Sequence, residues 1–205
     1  MKIVFSKKFN FIEDSYFSII SFLKENLPRS NDPSVYLEVV AAIIIDRDDL
    51  SACIINNGNV KFAPERIPSK IYFSNEKLLE EEIYYKNLIQ NGEVLNSIVS
   101  HLKNDLYSRR CLWNFWKEDY FINTKNAGTC ISQIYFRYNN DSLEMHSHMR
   151  SNDIIQCYVL DVSFLMAVGQ YIARELDVAF GGLFHFVDSF QVYNNDKKIF
   201  NSINK

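Results

Sequence analysis

Residues 128–161 read GTCISQIYFRYNNDSLEMHSHMRSNDIIQCYVLD, two alternating segments followed by the mouth of an apolar helix. Ser132–Tyr138 and Ser142–Arg150 flank Asn139-Asn140-Asp141, three turn-forming residues, so the stretch predicts a β-hairpin. Alternation puts Leu143, Met145, Ser147 and Met149 on one face of the second strand and Glu144, His146, His148 and Arg150 on the other. From Val159 to Leu176 apolar residues run nearly all round, the pattern of a buried helix. Phe180–Tyr193 then reads as a long strand bent at Gly181-Gly182.

Working back toward the N-terminus, Cys111–Trp116 is an aromatic strand candidate, preceded by helical patterns over Glu76–Ile89 and Glu93–Leu106. Asn75 is the expected N-cap of the first of these helices, and Asn91-Gly92 separates the two. Residues 59–73, broken by Pro64 and Pro68, give no clear pattern. Ser51–Asn56 predicts a short strand before the Asn57-Gly58 turn. Val35–Ile45 (VYLEVVAAIII) is nearly continuous in hydrophobicity, as in a strand buried on both faces near the sheet centre. Asn10–Asn26 predicts a helix, stopped by Leu27-Pro28, and Lys2–Phe5 a short strand. No repeat or linker divides the chain, and 205 residues at 47% hydrophobic predict a single domain over residues 1–205.

Composition excludes several function classes. A formal charge of −3 argues against general polyanion affinity, so no nucleic-acid partner is expected and any phosphate site is local. The longest apolar run, VVAAIII, is far too short to span a membrane, and the N-terminus lacks a signal-peptide core, so a cytoplasmic location is expected. The four cysteines show no CxxC pairing and read as reduced thiols.

The chemistry-bearing residues cluster in the opening stretch. Cys130 follows Gly128-Thr129 at a strand entrance, where nearby arginines would favour thiolate and make it a nucleophile. Arg150-Ser151-Asn152-Asp153 follows a strand, and a guanidinium fork, a hydroxyl and backbone N–H groups there can converge on phosphate. The alternative is an ordinary strand-end turn. Asp161 sits in a first helical turn, which also suits an acid stabilised by the helix dipole. His146 and His148 share a face but lack an evident third ligand, so solvent-facing or hydrogen-bonded histidines are expected there, not metal.

These residues together resemble the thymidylate synthase family, including its cytosine-specific branch, the deoxycytidylate and cytidylate hydroxymethylases. Cys130 stands twenty residues before the Arg-Ser-x-Asp cluster, as the family's nucleophile does, and LNSIVSHLKNDLYSRRCLWN (95–114) is similar to its helix and double arginine. The resemblance implies a thymidylate synthase-like α/β (α+β) fold, a mixed β-sheet with packed helices. It also implies a homodimer in which Arg109 and Arg110 reach the partner's nucleotide phosphate in trans. Arg29 resembles the family's phosphate-loop arginine, and DSFQVYNN (188–195) its ribose-binding strand, with Tyr193 on the sugar hydroxyl and Gln191 in place of the usual histidine. Nucleotide binding is thus expected of Arg29, Arg109, Arg110, Arg150, Ser151, Asp153, Asp161, Gln191 and Tyr193, and catalysis of Cys130 and Asp161.

The departures from the family pattern set the expected substrate. Asp161 replaces the asparagine that reads uracil, as in the cytosine-specific branch. A protonated carboxyl donates to cytosine N3 and accepts from N4–H, so a raised pKa in a dry pocket is expected. The function implied is C5 hydroxymethylation of a cytosine nucleoside monophosphate, dCMP or CMP, with 5,10-methylenetetrahydrofolate as the one-carbon donor. The alternatives are C5 methylation of a pyrimidine nucleotide and a non-catalytic nucleotide-binding homologue. Glu81, Glu82 and Tyr85 lie near the family's catalytic glutamate, but LLEEEIYYKNL does not fix which residue corresponds. Ile131 replaces the histidine that usually follows the nucleophile. The family's long C-terminal segment, which closes over folate, has no counterpart before Lys205.

Overall fold

A computed structural model describes residues 4–26, 31–46, 52–67, 71, 73–116 and 128–203. The expected hairpin forms β6 (Ile131–Asn139) and β7 (Ser142–Met149), with Asn140 and Asp141 at positive φ in the turn. Beside β7, in parallel, runs β9 (Ala179–Tyr193), the longest strand. Gly181 is the extra residue of a bulge opposite Leu143 and Glu144, and Gly182 adopts φ +121°, where a side chain would strike Ile45 O. This is the physical basis of the bend at Gly181-Gly182.

The main sheet runs β1 (Val4–Phe9), β2 (Val35–Ile45), β9, β7, β6, β5 (Leu112–Asn114), with β8 (Asn152–Asp153) also pairing β9. It is mixed: β1/β2 and β7/β9 are parallel, whereas β2/β9, β6/β7 and β5/β6 are antiparallel. The centre of the sheet is β9 and β7, not β2, which lies beside the edge strand β1. Nor is β2 buried on both faces. Its residues alternate buried and half-buried along the whole strand, because the described residues cover only one side of it.

That covered side faces α4 (Tyr158–Glu175), every residue of which is buried from Tyr158 to Gly169. The helix packs on β7 and β9, with α1 (Ile12–Asn26), α3 (Glu93–Asn104) and the β3–β4 hairpin (Cys53–Asn56, Asn59–Phe62) also against it. Burial on all sides explains its all-round apolarity. Residues 59–67, unreadable in sequence, supply β4 and a helical turn at Pro64–Arg66. The α2 helix (Asn75–Leu88) is capped by Ser74, one residue before the expected cap, whose hydroxyl accepts from Lys77 N at 3.1 Å. A short helix, α5 (Lys197–Ser202), follows β9. The result is an α/β arrangement of a mixed sheet with packed helices.

Among the described residues, no helix lies on the opposite side of the sheet. A hollow of about 560 Å³ lies there, lined by Ile44, Leu112, Tyr135, His146, Phe184 and Phe186 among others.

Candidate active site

Cys130 lies immediately before β6, and Arg150 immediately after β7, so hairpin pairing brings them side by side: Arg150 N donates to Cys130 O at 3.0 Å. A register shift between Ile131 and Gln133 makes a bulge beside the cysteine. The Arg150 guanidinium donates through Nε to Thr129 O at 3.2 Å and through Nη1 to Ser151 Oγ at 3.4 Å, and stands 5.7 Å from the Trp116 ring centre. Ser151 Oγ in turn donates to Cys130 Sγ at 3.6 Å. Burial pushes the Cys130 thiol up, while Ser151 and Arg150 pull it down and the Asp161 and Glu81 carboxylates push it up again. The net direction is upward, opposite to the thiolate expected from arginine proximity alone. In the free chain desolvation outweighs one guanidinium.

β8 pairs Asp153 with Gln191 of β9, so the Arg-Ser-x-Asp turn joins the end of the last strand. Asp153 Oδ1 accepts from Ile155 N (2.9 Å) and Gln156 N (3.1 Å), fixing the turn that leads into α4. Burial lifts its carboxyl to about 6, the two backbone donors working against that rise. Gln191 Nε2 donates to Tyr193 Oη at 2.5 Å, and Gln191 Oε1 accepts from Ser189 at 3.1 Å. Burial raises the Tyr193 hydroxyl, with Asp153 and Cys130 adding to the rise and Arg150 opposing it.

Asp161 is 7% exposed in the first turn of α4. Its Oδ1 accepts from the Tyr85 hydroxyl, and its Oδ2 from Asn152 Nδ2 at 2.9 Å. Burial raises its pKa to about 7; Glu81 adds to the rise, and Tyr85, Lys77 and Asn152 oppose it. A raised pKa in a dry pocket is what the sequence led us to expect of this position.

The helix α2 brings residues that sequence reasoning left open or passed over. Glu82 is committed elsewhere, accepting from Lys61 Nζ (2.8 Å) and Phe62 N (2.9 Å) and so tying α2 to β4. Glu81 pairs instead with Lys77 at 2.5 Å, and its charge acts on Cys130, Cys157, Tyr85 and Asp161. Lys77, Asn152 and Cys157 were not singled out in sequence. The Lys77–Glu81 i,i+4 spacing was a readable signal for one pair; nothing local pointed to Asn152 or Cys157.

Two expected site residues stand apart from this cluster. Arg109 and Arg110 are exposed and precede β5, whose Leu112 pairs Tyr135, with Phe136 N donating to Cys111 O. They therefore sit past the middle of β6, whereas Cys130 precedes its start, a separation of about 20 Å at ~3.3 Å per residue. Arg29 lies outside the described residues. His146 and His148 bond to Glu144 (3.4 Å) and Asp188 (2.8 Å) on the open sheet face, and among the described residues no three His, Cys, Asp or Glu side chains converge as a metal site.

A cysteine sulfur, an arginine and hydroxyl beside it, and a carboxyl raised to about 7 in the adjoining helix form a set that can grip an anion and activate a ring at once. Comparison with known proteins bears on that chemistry. Residues 73–203 match the family model described as thymidylate synthase. Over 115 residues the chain is 26% identical to thymidylate synthase of Streptococcus pyogenes serotype M5 (strain Manfredo), and 24% identical to that of Streptococcus mutans serotype c (strain ATCC 700610 / UA159). Each match covers 54% of this chain and 41% of the relative's length. With more than half the sequence inside the family match, and Cys130, the Arg-Ser-x-Asp turn and the last strand converging at one place, the chain belongs to the thymidylate synthase family.

Proposed function

We propose that this chain activates C5 of a cytosine nucleoside monophosphate, dCMP or CMP, for one-carbon transfer, giving the 5-hydroxymethyl product. The observation that carries the reading is Asp161: buried, doubly hydrogen-bonded and raised to about 7, it can hold a proton near neutral pH. A carboxylic acid at that point complements cytosine, donating to N3 and accepting from the N4 amine.

Arg150 and Ser151 bind the phosphate, and Tyr193 with Gln191 holds the sugar. Asp153 shapes the turn that presents the first two. The Cys130 sulfur adds to C6, with Ser151 and Arg150 supplying the stabilisation of thiolate that burial opposes. Charge displaced into the ring is neutralised at N3 by the Asp161 proton, leaving C5 enamine-like and nucleophilic. Glu81, held by Lys77, takes the place of the family's carboxylate and accepts the C5 proton directly or through water. Water adding to the exocyclic carbon supplies the product's hydroxyl as the C6–S bond breaks; release of the Cys130 thiolate and return of the N3 proton to Asp161 complete turnover.

The donor set also suits methylenetetrahydrofolate: a pterin edge offers N–H donors, and Glu81 and Asp153 are acceptors with the half-exposed Tyr84 ring alongside. Bound there, the folate would supply the one-carbon unit.

A homodimer accompanies this reading. The outer residues of β2, such as Ala42 and Ile44, are apolar yet only half-buried, and Phe184, Phe186 and Leu112 extend the same open face. A second copy seated there would cover it. Arg109 and Arg110, remote from their own Cys130, then serve the partner's phosphate.

Tritium release from 5-³H-labelled dCMP, CMP and dUMP, with and without methylenetetrahydrofolate, tests the reading. Release from a cytosine nucleotide that Cys130→Ala abolishes is expected. Release from dUMP alone would refute the base assignment. Binding without release from any of the three would make this a non-catalytic nucleotide-binding member.

A further inference from the structure

A neutral carboxyl is ambidextrous toward pyrimidines. With the proton on one oxygen it donates to cytosine N3 and accepts from the N4 amine. With the proton on the other it accepts from uracil N3–H and donates to O4. Replacing asparagine by a protonated aspartate therefore does not by itself select cytosine. Selection requires that the two oxygens be unequal.

They are unequal here. Oδ1 of Asp161 accepts from the Tyr85 hydroxyl, a bond that a protonated O–H oxygen also accepts through a lone pair, leaving its proton for the base. Oδ2 meets the Asn152 amide nitrogen at 2.9 Å, which only donates. A carbonyl oxygen is the better acceptor of the two kinds in a carboxylic acid, so an amide donor favours Oδ2 as carbonyl and leaves the proton to Oδ1. Asn152 is 2% exposed, and its Nδ2 also lies 3.3 Å from Met149 Sδ. Its Oδ1 is buried with no hydrogen-bond partner. The amide thus presents its donor to Asp161 although its own carbonyl goes unsatisfied, a costly arrangement.

We propose that Asn152 is a specificity-determining positioning residue: with Oδ1 of Asp161 toward ring N3 and Oδ2 toward the group on C4, its amide donor confines the proton of neutral Asp161 to Oδ1 and makes the carboxyl read cytosine and reject uracil. The inference rests on Asp161 facing the base, as proposed above. The charged and titratable groups facing Asp161 are Lys77, Glu81, Tyr84 and Tyr85 from α2, Cys157 at the head of its own helix and Cys130 from the sheet. Glu81 raises its pKa through its charge, and the bonds to the two oxygens come from Tyr85 and Asn152.

The test is calorimetric binding of CMP and UMP to the full chain at pH values either side of about 7, using wild type, Asn152→Leu, Asn152→Ser and Asp161→Asn. Asn152→Leu should reduce the preference for CMP over UMP by about tenfold or more. Because the Asn152 donor stabilises the ionised carboxylate, losing it should also move the alkaline fall in CMP affinity to higher pH. Asn152→Ser, with a hydroxyl that donates or accepts, should reduce the preference less. A purely structural lesion would weaken both nucleotides alike and leave the pH limb where it was, which would overturn the proposal. So would an unchanged preference in folded Asn152→Leu while Asp161→Asn alters it, and base reading by Asp161 would then still stand. An unchanged preference in Asp161→Asn would remove the reading itself. Should Asn152→Leu not fold, Asn152→Ser carries the same two readouts.

Discussion

The two faces of the main sheet are made from the same strands but meet different fates. On the inner face, Leu143, Met145, Met149, Leu183 and Val187 lie under α4 with essentially no exposed surface. On the outer face, Phe184, Phe186, Leu112 and Tyr135 surround an open hollow, with His146 stacked on Phe184 at 4.5 Å between ring centres. The inner face is sealed by the chain itself and ends in the Cys130–Asp161 cluster. The outer face is apolar enough for a core, and among the described residues nothing covers it. One face therefore determines the fold, and the other is the surface on which the proposed dimer would form.

The sharpest separation of fold from chemistry is at Cys130. Cys130→Ala should lower tritium release by roughly 10³-fold or more while nucleotide binding survives. The side chain is only half-buried, so the thermal midpoint should scarcely change. A parallel loss of stability and activity would mean that the cysteine belongs to the inner core and not to a site.

The faces themselves are compared by truncating one aromatic on each. Phe164 is fully buried and stacks on Tyr85 at 4.1 Å, so Phe164→Ala should cost about 3–5 kcal/mol in denaturant unfolding and disturb the α2–α4 contact behind Asp161. Phe186, 40% exposed, should cost under about 1 kcal/mol within one chain. In return, Phe186→Ser should weaken self-association in sedimentation measurements. If Phe186→Ser leaves a dimer intact, the outer face is not the interface.

Dimerisation through that face makes a further demand on the arginines. Arg109→Ala/Arg110→Ala and Cys130→Ala chains, each inactive or nearly so alone, should recover activity when mixed and allowed to exchange subunits. A mixed dimer carries both lesions in one site and leaves the other intact, so roughly a quarter of all sites are restored at full exchange. No recovery would place the two arginines outside the partner's site.

How much of this was legible in sequence depended on distance along the chain. The hairpin, α4 and the bent last strand were readable because their periodicities are long and local, and Cys130, Arg150, Ser151 and Asp153 because one hairpin carries them. β2 was placed at the sheet centre because VYLEVVAAIII is apolar on both sides; composition does not reveal whether the cover comes from the same chain. The β3–β4 hairpin was only half legible, its strands being four residues each, too short for alternation to register. Glu81 could not be told from Glu82, since the choice is made by Lys61 and Phe62 some twenty residues away. Asn152 was simply the unnamed position of the Arg-Ser-x-Asp cluster until Asp161 folded against it.

The smallest effect concerns two buried groups on the inner face that titrate in opposite senses. Burial raises Asp161 from 3.8 to about 7, so between those values the folded chain holds a proton that the unfolded chain has lost, and stability falls as pH rises through that window. Burial lowers His185 to about 3, with Ser147 at 2.7 Å from its Nδ1, so its contribution runs the other way, stability rising with pH from about 3 to about 6.5. Where the windows overlap the two slopes oppose each other. Asp161→Asn removes one of them, and Asp153, lifted to about 6, still offsets His185 below that pH: the variant should stay nearly flat from about pH 4 to about pH 6, rise slightly to about pH 6.5 and level off, while wild type declines from about pH 4 to about pH 7. At about pH 8 the variant should exceed wild type by about 1–3 kcal/mol, because it no longer holds an ionised carboxylate in a dry site. The new amide can still accept from Tyr85, and a flip of Asn152 would turn its unsatisfied carbonyl toward the new N–H. Urea unfolding across this pH range decides the matter. If Asp161→Asn proves less stable than wild type at pH 8, the carboxylate is ionised there without penalty, and the neutral acid needed to read cytosine has no physical basis.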